Sequence, residues 1–219
     1  MSDSLIPITD EQAKAIQEAL KLGGTSLDLA KAFGGYVASV LGTTPHDIVG
    51  LLGGDWIKVK RAENLAKAVH EAKERLRARG VLEPQPISLS LALPLLHAAG
   101  DEDRQELVDL WARLLAAAMD PARTNRVRQR FIEIVQRLDP LDALVLQRLR
   151  DAAAMQPTPR DFLASHLQVS ADEVEVSFEN LLRLEVIGAT GLEPGIRPGV
   201  LTRVHLTSIG RQLLMAVSD

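Results

Sequence analysis

Residues 139–190 read DPLDALVLQRLRDAAAMQPTPRDFLASHLQVSADEVEVSFENLLRLEVIGAT, and VLTRVHL follows at 200–206 after a turn-rich stretch. Asp139-Pro140-Leu141-Asp142 and Thr158-Pro159-Arg160-Asp161 each offer a capping oxygen, then Pro at the first helical position and Asp at the third. The oxygen satisfies an orphan N–H, Pro presets φ, and the acid meets the positive end of the helix dipole. Ser170-Ala171-Asp172-Glu173 has the spacing of a capping box. Helices are therefore predicted near 140–155, 159–167 and 171–185. Val186 to Thr190 and the alternating 200–206 run, with Val200, Thr202, Val204 and Leu206 on one face, predict two strands. The turn-rich Glu193 to Gly199 joins them, and Thr207 caps a closing helix through Leu213, Leu214 and Val217. Three helices and then a β-hairpin is the order of a winged helix, whose middle helix pair is the helix-turn-helix.

Working outward, the same logic gives more helices. Leu107, Leu110, Trp111, Leu114 and Leu115 form one apolar stripe at helical spacing, and Phe131, Ile134, Val135 and Leu138 form another. Leu141, Leu144, Val145 and Leu149 form a third. A long charged helix from about Trp56 stops at Gly80, and Pro84-Gln85-Pro86 makes a stiff connection. Thr9-Asp10-Glu11-Gln12 and Thr44-Pro45-His46-Asp47 are two further helix starts. The predicted fold is mainly α: an N-terminal helical region followed by a C-terminal winged-helix-like unit with a small β-hairpin. The predicted division is 1–83, holding a glycine-rich apolar segment and a basic helix; a central helical segment, 87–137; and the winged-helix-like domain, 138–219.

Bulk composition narrows the function classes. Aromatics are only 3%, so a core of Leu, Val, Ile and Ala is expected, which favours helices. With no cysteine, disulfides, thiolate catalysis and Cys-based zinc sites are excluded. Met1-Ser2-Asp3-Ser4 shows neither a basic nor an apolar signal region, so a cytoplasmic protein is expected. A net charge of -4 argues against coating nucleic acid through bulk positive charge.

No catalytic constellation is legible. His46, His70, His97, His166 and His205 are scattered, and none makes the helical His-Glu-x-x-His pattern. His70 and Glu74 lie one turn apart but among Lys67, Lys73, Arg75, Arg77 and Arg79, as on a solvated charged face. Gly23-Gly24, Gly34-Gly35 and Gly53-Gly54 are paired glycines without the strand that a dinucleotide fingerprint needs. The expectation is a protein that is not an enzyme, with no metal and no cofactor.

Binding surfaces are a different matter. The presumed recognition helix carries Asp172, Glu173, Glu175 and Glu179 against Arg183. A helix that enters the major groove gains by neutralising phosphates, and this one repels them. Protein docking or self-association is therefore expected of the winged helix, and not DNA. Two basic stretches, 56–79 and 123–130, would make one cationic surface for an anionic partner if they come together, with Lys58, Lys60, Arg61 and Lys67 as candidates in the first and Arg126, Arg128 and Arg130 in the second, beside Arg79 and Arg123. Solvation of a helix face is the plainer account of both. Residues 32–54 are nearly uncharged and close to the length of a membrane span, but Thr43 to Asp47 interrupts them with a helix cap. Two short helices packed through glycine are the first expectation, and membrane contact on activation is the second.

Gly42-Thr43-Thr44-Pro45-His46-Asp47-Ile48-Val49-Gly50-Leu51-Leu52-Gly53-Gly54-Asp55-Trp56, followed by Arg61-Ala62-Glu63-Asn64-Leu65, resembles the abortive infection alpha family of bacterial phage-resistance proteins. Leu107 to Asp120, Phe131 to Ala143 and the closing Leu206-Thr207-Ser208-Ile209-Gly210-Arg211 are similar to it as well, so the likeness spans about residues 40–215. The resemblance implies a role in phage defence, in which an infected cell is arrested or killed, and brings a phage component into view as a partner. It supplies no catalytic residues. The competing functions are a winged-helix transcriptional regulator that binds DNA and a membrane-active toxic effector.

Overall fold

A computed structural model describes residues 55–152, 157–190 and 201–218. The Thr9 and Thr44 helix starts and the 32–54 segment lie outside the described residues. Eight helices and a small sheet follow in order: α1 (Asp55–Ala78), α2 (Leu89–Asp101), α3 (Gln105–Met119), α4 (Gln129–Val135), α5 (Pro140–Asp151), β1 (Thr158–Pro159), α6 (Arg160–Leu167), α7 (Ala171–Arg183), β2 (Ile187–Ala189), β3 (Arg203–Leu206) and α8 (Ser208–Ala216). The protein is mainly α, as its sequence predicts.

Leu65, Ala68, Val69, Ala72 and Leu76 make the buried stripe of α1, which packs on α2 and α3. Gly80 ends α1 with φ +72°. The Gly80 N–H donates to the Arg77 carbonyl (2.9 Å) and the Val81 N–H to the Leu76 carbonyl (2.9 Å), which is a Schellman closure. On α3 the predicted stripe is buried throughout, with Trp111 at its centre. Phe131, Ile134, Val135 and Leu138 are buried as well. One continuous apolar core runs from Leu65 to Val217.

Polar clasps tie the helices together. Asp109 of α3 accepts from Arg113 (2.7 Å) and pairs with Arg75 of α1. Asp120, buried at the end of α3, lies 3.6 Å from Arg123 and 3.9 Å from Arg79. Arg79 and Arg123 also donate to the Ser218 carbonyl (2.8 and 2.7 Å) and Arg113 to the Val217 carbonyl (3.2 Å), so the same cations cap α8. Arg75 and Arg79 therefore turn inward, where the sequence suggested a solvated face. Side chains that join two helices also exclude water from the seam between them.

The C-terminal unit has the order helix, strand, helix, helix, strand, strand, helix. Its sheet has three antiparallel strands in the order β1-β3-β2, with Thr158 opposite Val204 and Ile187 opposite Leu206. That is a winged-helix arrangement with one more strand than the predicted hairpin. The added strand corrects the reading of Thr158-Pro159. Thr158 caps no helix; it is fully buried in β1, and Pro159 takes the capping position of α6. The Arg160 N–H donates to the Thr202 carbonyl (2.8 Å), which carries the pairing past the proline that cannot donate.

The other described starts, at Asp139, Ser170 and Thr207, are as predicted. The Asp142 carboxylate accepts from the Asp139 N–H (2.8 Å). The Glu173 carboxylate accepts from the Ser170 N–H (2.8 Å), while the Ser170 hydroxyl accepts from the Glu173 N–H (3.2 Å). The Gly210 N–H donates to the Thr207 hydroxyl (3.1 Å). The buried seam of α5 keeps Val145 and Leu149 of the predicted stripe and adds Asp142, Ala143 and Leu146, while Leu141 and Leu144 are half-buried.

Candidate functional site

The helix that a winged helix presents is α7. It is anchored on its inner side by Val174, Phe178 and Leu181, and it packs against α5, α6 and β2. A polar tether crosses to α5. Asp142, 2% exposed, accepts from the Ser177 hydroxyl (2.5 Å) and from the Asn180 amide (2.6 Å) in addition to the Asp139 N–H. The Asn180 amide also donates to the Arg137 carbonyl (3.0 Å). Arg160 holds Glu175 at 2.8 Å. These bonds set the rotation of α7 about its axis and hence which residues face outward.

What faces outward is acidic and apolar. Asp172, Glu173, Glu179 and Arg183 are exposed, and Val176 is 67% exposed in their midst. The Ser170 N–H and hydroxyl hold the Glu173 carboxyl below its usual pKa, so the negative charge at this helix start persists into mild acid. Three exposed carboxylates against one guanidinium on α7, with Glu175 held by Arg160, give the surface the wrong sign for a phosphate backbone.

At the other end of α7 the sign reverses. Arg130, Glu133 and Arg137 of the α4 region meet Arg183 and Glu185 around an open groove of about 160 Å³. Arg130 pairs with Glu185. Arg137 and Arg183 make no side-chain ion pair among the described residues. A smaller cavity of about 90 Å³ lies between apolar Leu110, Val135, Leu146 and Leu213 and the polar side chains of Arg113, Gln147 and Arg150.

The sequence-predicted cations are dispersed. Lys60 lies 3.6 Å from Glu63 of its own helix. Arg61 pairs with Asp101 and Lys67 bonds Gln105, so both brace α1 against the α2–α3 corner. The Lys58 side chain lies outside the described residues. Arg126 and Arg128 are exposed, and Arg130 joins the groove. The two basic stretches meet at Arg79 and Arg123, which share Asp120 and the Ser218 carbonyl, so the cations that come together are already engaged within the fold. Arg137 was missed by the sequence reading, which named Arg183 only as the one cation of the presumed recognition helix. Arg137 follows the end of α4, which carries Arg130, and Arg183 comes together with them only through the tertiary fold.

Among the described residues no cluster of His, Asp and Glu has the makings of a metal site, and no helix is long and apolar enough to cross a membrane.

Fold and surface together define a helical protein closed by a winged-helix-like unit whose presented helix is acidic. The chain matches the family model described as abortive infection alpha over residues 60–217 and belongs to that family, which gives it a role in abortive-infection defence. No curated protein and no solved structure matches the chain. The matched region takes in every described element from the first turns of α1 to the end of α8.

Proposed function

We propose that this protein acts in abortive infection by binding protein and self-associating, with the outer face of α7 as its docking surface and without catalysis of its own. The observation that carries the reading is Val176, an apolar side chain 67% exposed and ringed by Asp172, Glu173 and Glu179. An exposed valine among carboxylates is poor at a phosphate backbone and suited to a protein surface that buries the methyls and meets the acids with cations. The polar tethers through Asp142 and Arg160 hold that face in one orientation, which lowers the entropic cost of docking. The protein works in the cytoplasm, and residues 32–54 make any contact with the membrane on activation.

The test has two arms. Cells that make the protein should plate at least one phage of a broad panel poorly, and the purified full chain should leave labelled duplex DNA unbound at low salt. Normal plating across the panel would overturn the defence role of this chain. Salt-dependent binding to duplex DNA, lost on changing Arg197 and Arg203, the two arginines that the sequence offers in the hairpin of the winged-helix-like unit, would replace docking with DNA recognition.

A further inference from the structure

The geometry points to a second copy of this chain as the occupant of the α7 face, in an antiparallel α7–α7 dimer. The inference rests on the docking reading above and names its partner. Asp172, Val176, Glu179 and Arg183 follow one another at steps of four, three and four residues, so they form a single stripe along α7. All four are exposed. The stripe runs from acid at the N-terminal end, through an apolar centre, to base at the C-terminal end.

Such a stripe complements itself when two copies are laid antiparallel. With the twofold axis between residues 177 and 178, Asp172 meets the partner's Arg183, and the same contact recurs at the other end. The two contacts are eleven residues apart, about 16 Å along the helix. Between them the Val176 methyls cover the aliphatic stem of the partner's Glu179. Antiparallel helices also set opposite dipole ends together.

The groove extends the same contact, its three arginines standing against Glu133 and the Glu185 that Arg130 pairs. Arg183 shares it with Arg130 and Arg137, and Arg137 and Arg183 have no side-chain ion-pair partner among the described residues. In the antiparallel arrangement each groove receives the acidic start of the other helix, where Asp172 and Glu173 lie. The interface is isologous and closes at two copies, so it yields a dimer and not a filament.

The experiment is a charge-swap mixing test on the full chain, read by light scattering during gel filtration and by sedimentation equilibrium. Wild type should be a dimer at micromolar concentration. Asp172→Arg places arginine against arginine at both ends, and Arg183→Asp places acid against acid. Each should weaken dimerisation by about tenfold or more while the far-ultraviolet circular dichroism stays that of wild type. Mixed one to one, the two variants should form a heterodimer, because each then meets its opposite. A monomeric wild type, a dimer indifferent to both substitutions, or two monomeric variants that fail to pair on mixing would each overturn the proposal. A dimer that ignores the swaps, while phage defence still depends on Val176 and Glu179, would remove self-pairing alone and leave the docking reading in place.

Discussion

A Cβ placed on Gly210 would stand 2.1 Å from the carbonyl oxygen of Val186. The first turn of α8 therefore lies against the backbone at the entry to β2, at a separation that only glycine permits. Thr207 secures the same corner. Its N–H donates to the Val186 carbonyl (3.1 Å), and its hydroxyl donates to the Glu185 carbonyl (2.6 Å) while accepting from Gly210. The run Leu206-Thr207-Ser208-Ile209-Gly210, one of the blocks that resembles the family, is thus a structural latch between the wing and the closing helix.

Gly210→Ala should destabilise the fold by about 3 kcal/mol, because the atom in the way is backbone and cannot rotate aside. Gly188→Ala is the control. A Cβ there would meet the His205 imidazole at 2.7 Å, but a half-buried ring at the end of a side chain can swing away. Its cost should be about 1 kcal/mol. Urea unfolding of the two variants measures both.

Asp142→Ala should cost about 3 kcal/mol, since it leaves the buried Ser177 hydroxyl without its acceptor and takes one acceptor from the part-buried Asn180 amide and Asp139 N–H. The loss should also loosen α7, which amide hydrogen exchange across residues 171–183 would report as reduced protection relative to α3.

Trp111 is buried, and its indole N–H has no hydrogen-bond partner among the described residues. Trp111→Phe removes that unsatisfied donor while keeping most of the packed area, so it should cost only about 1 kcal/mol. Trp111→Ala, which opens a cavity beneath α3, should cost about 4 kcal/mol. Thermal unfolding of the pair separates the two effects.

Burial pushes the Lys73 ammonium down to about 8, with Arg77 adding to the shift and Glu74 opposing it. Below pH 8 the amine is charged in both states, and the folded state bears the desolvation cost. Between pH 8 and 10.5 the unfolded chain holds more protons, so stability rises with pH through that window. Lys73→Met should therefore be more stable than wild type at pH 7, by about 1 kcal/mol once partial solvent exposure is allowed for, and the gap should close as pH passes 10.5. Chemical denaturation of both proteins at pH 7 and pH 10.5 checks the sign.

Much of this architecture is legible in local chemistry. A capping residue with an acid three positions on, and at Asp139 a proline between them, places the beginnings of α5 and α7 from Asp139 and Ser170 alone. The same rule failed at Thr158, because strand pairing with Val204 outcompetes a cap and only the tertiary fold brings Val204 there. Periodicity found the buried faces of α3 and α4. It found that of α5 only in part, at Val145 and Leu149, because a carboxylate, Asp142, is buried among its donors in a position that hydrophobicity would assign to solvent. The acidic character of α7 needs no structure, since its charge is written in thirteen consecutive residues. The arginine groove does need one. Arg130 and Arg183 are far apart in sequence, and nothing local to either announces the other.

Phage plating on cells that make wild-type protein or the Val176→Lys, Glu179→Lys double variant, at matched protein levels, tests the α7 face most directly. An exposed charge reversal on α5, Arg148→Glu, serves as control. The control should restrict phage as wild type does, while the double variant should plate phage as freely as cells that lack the protein. Undiminished restriction by the double variant would contradict the assignment of the outer face of α7 as the surface through which this protein works.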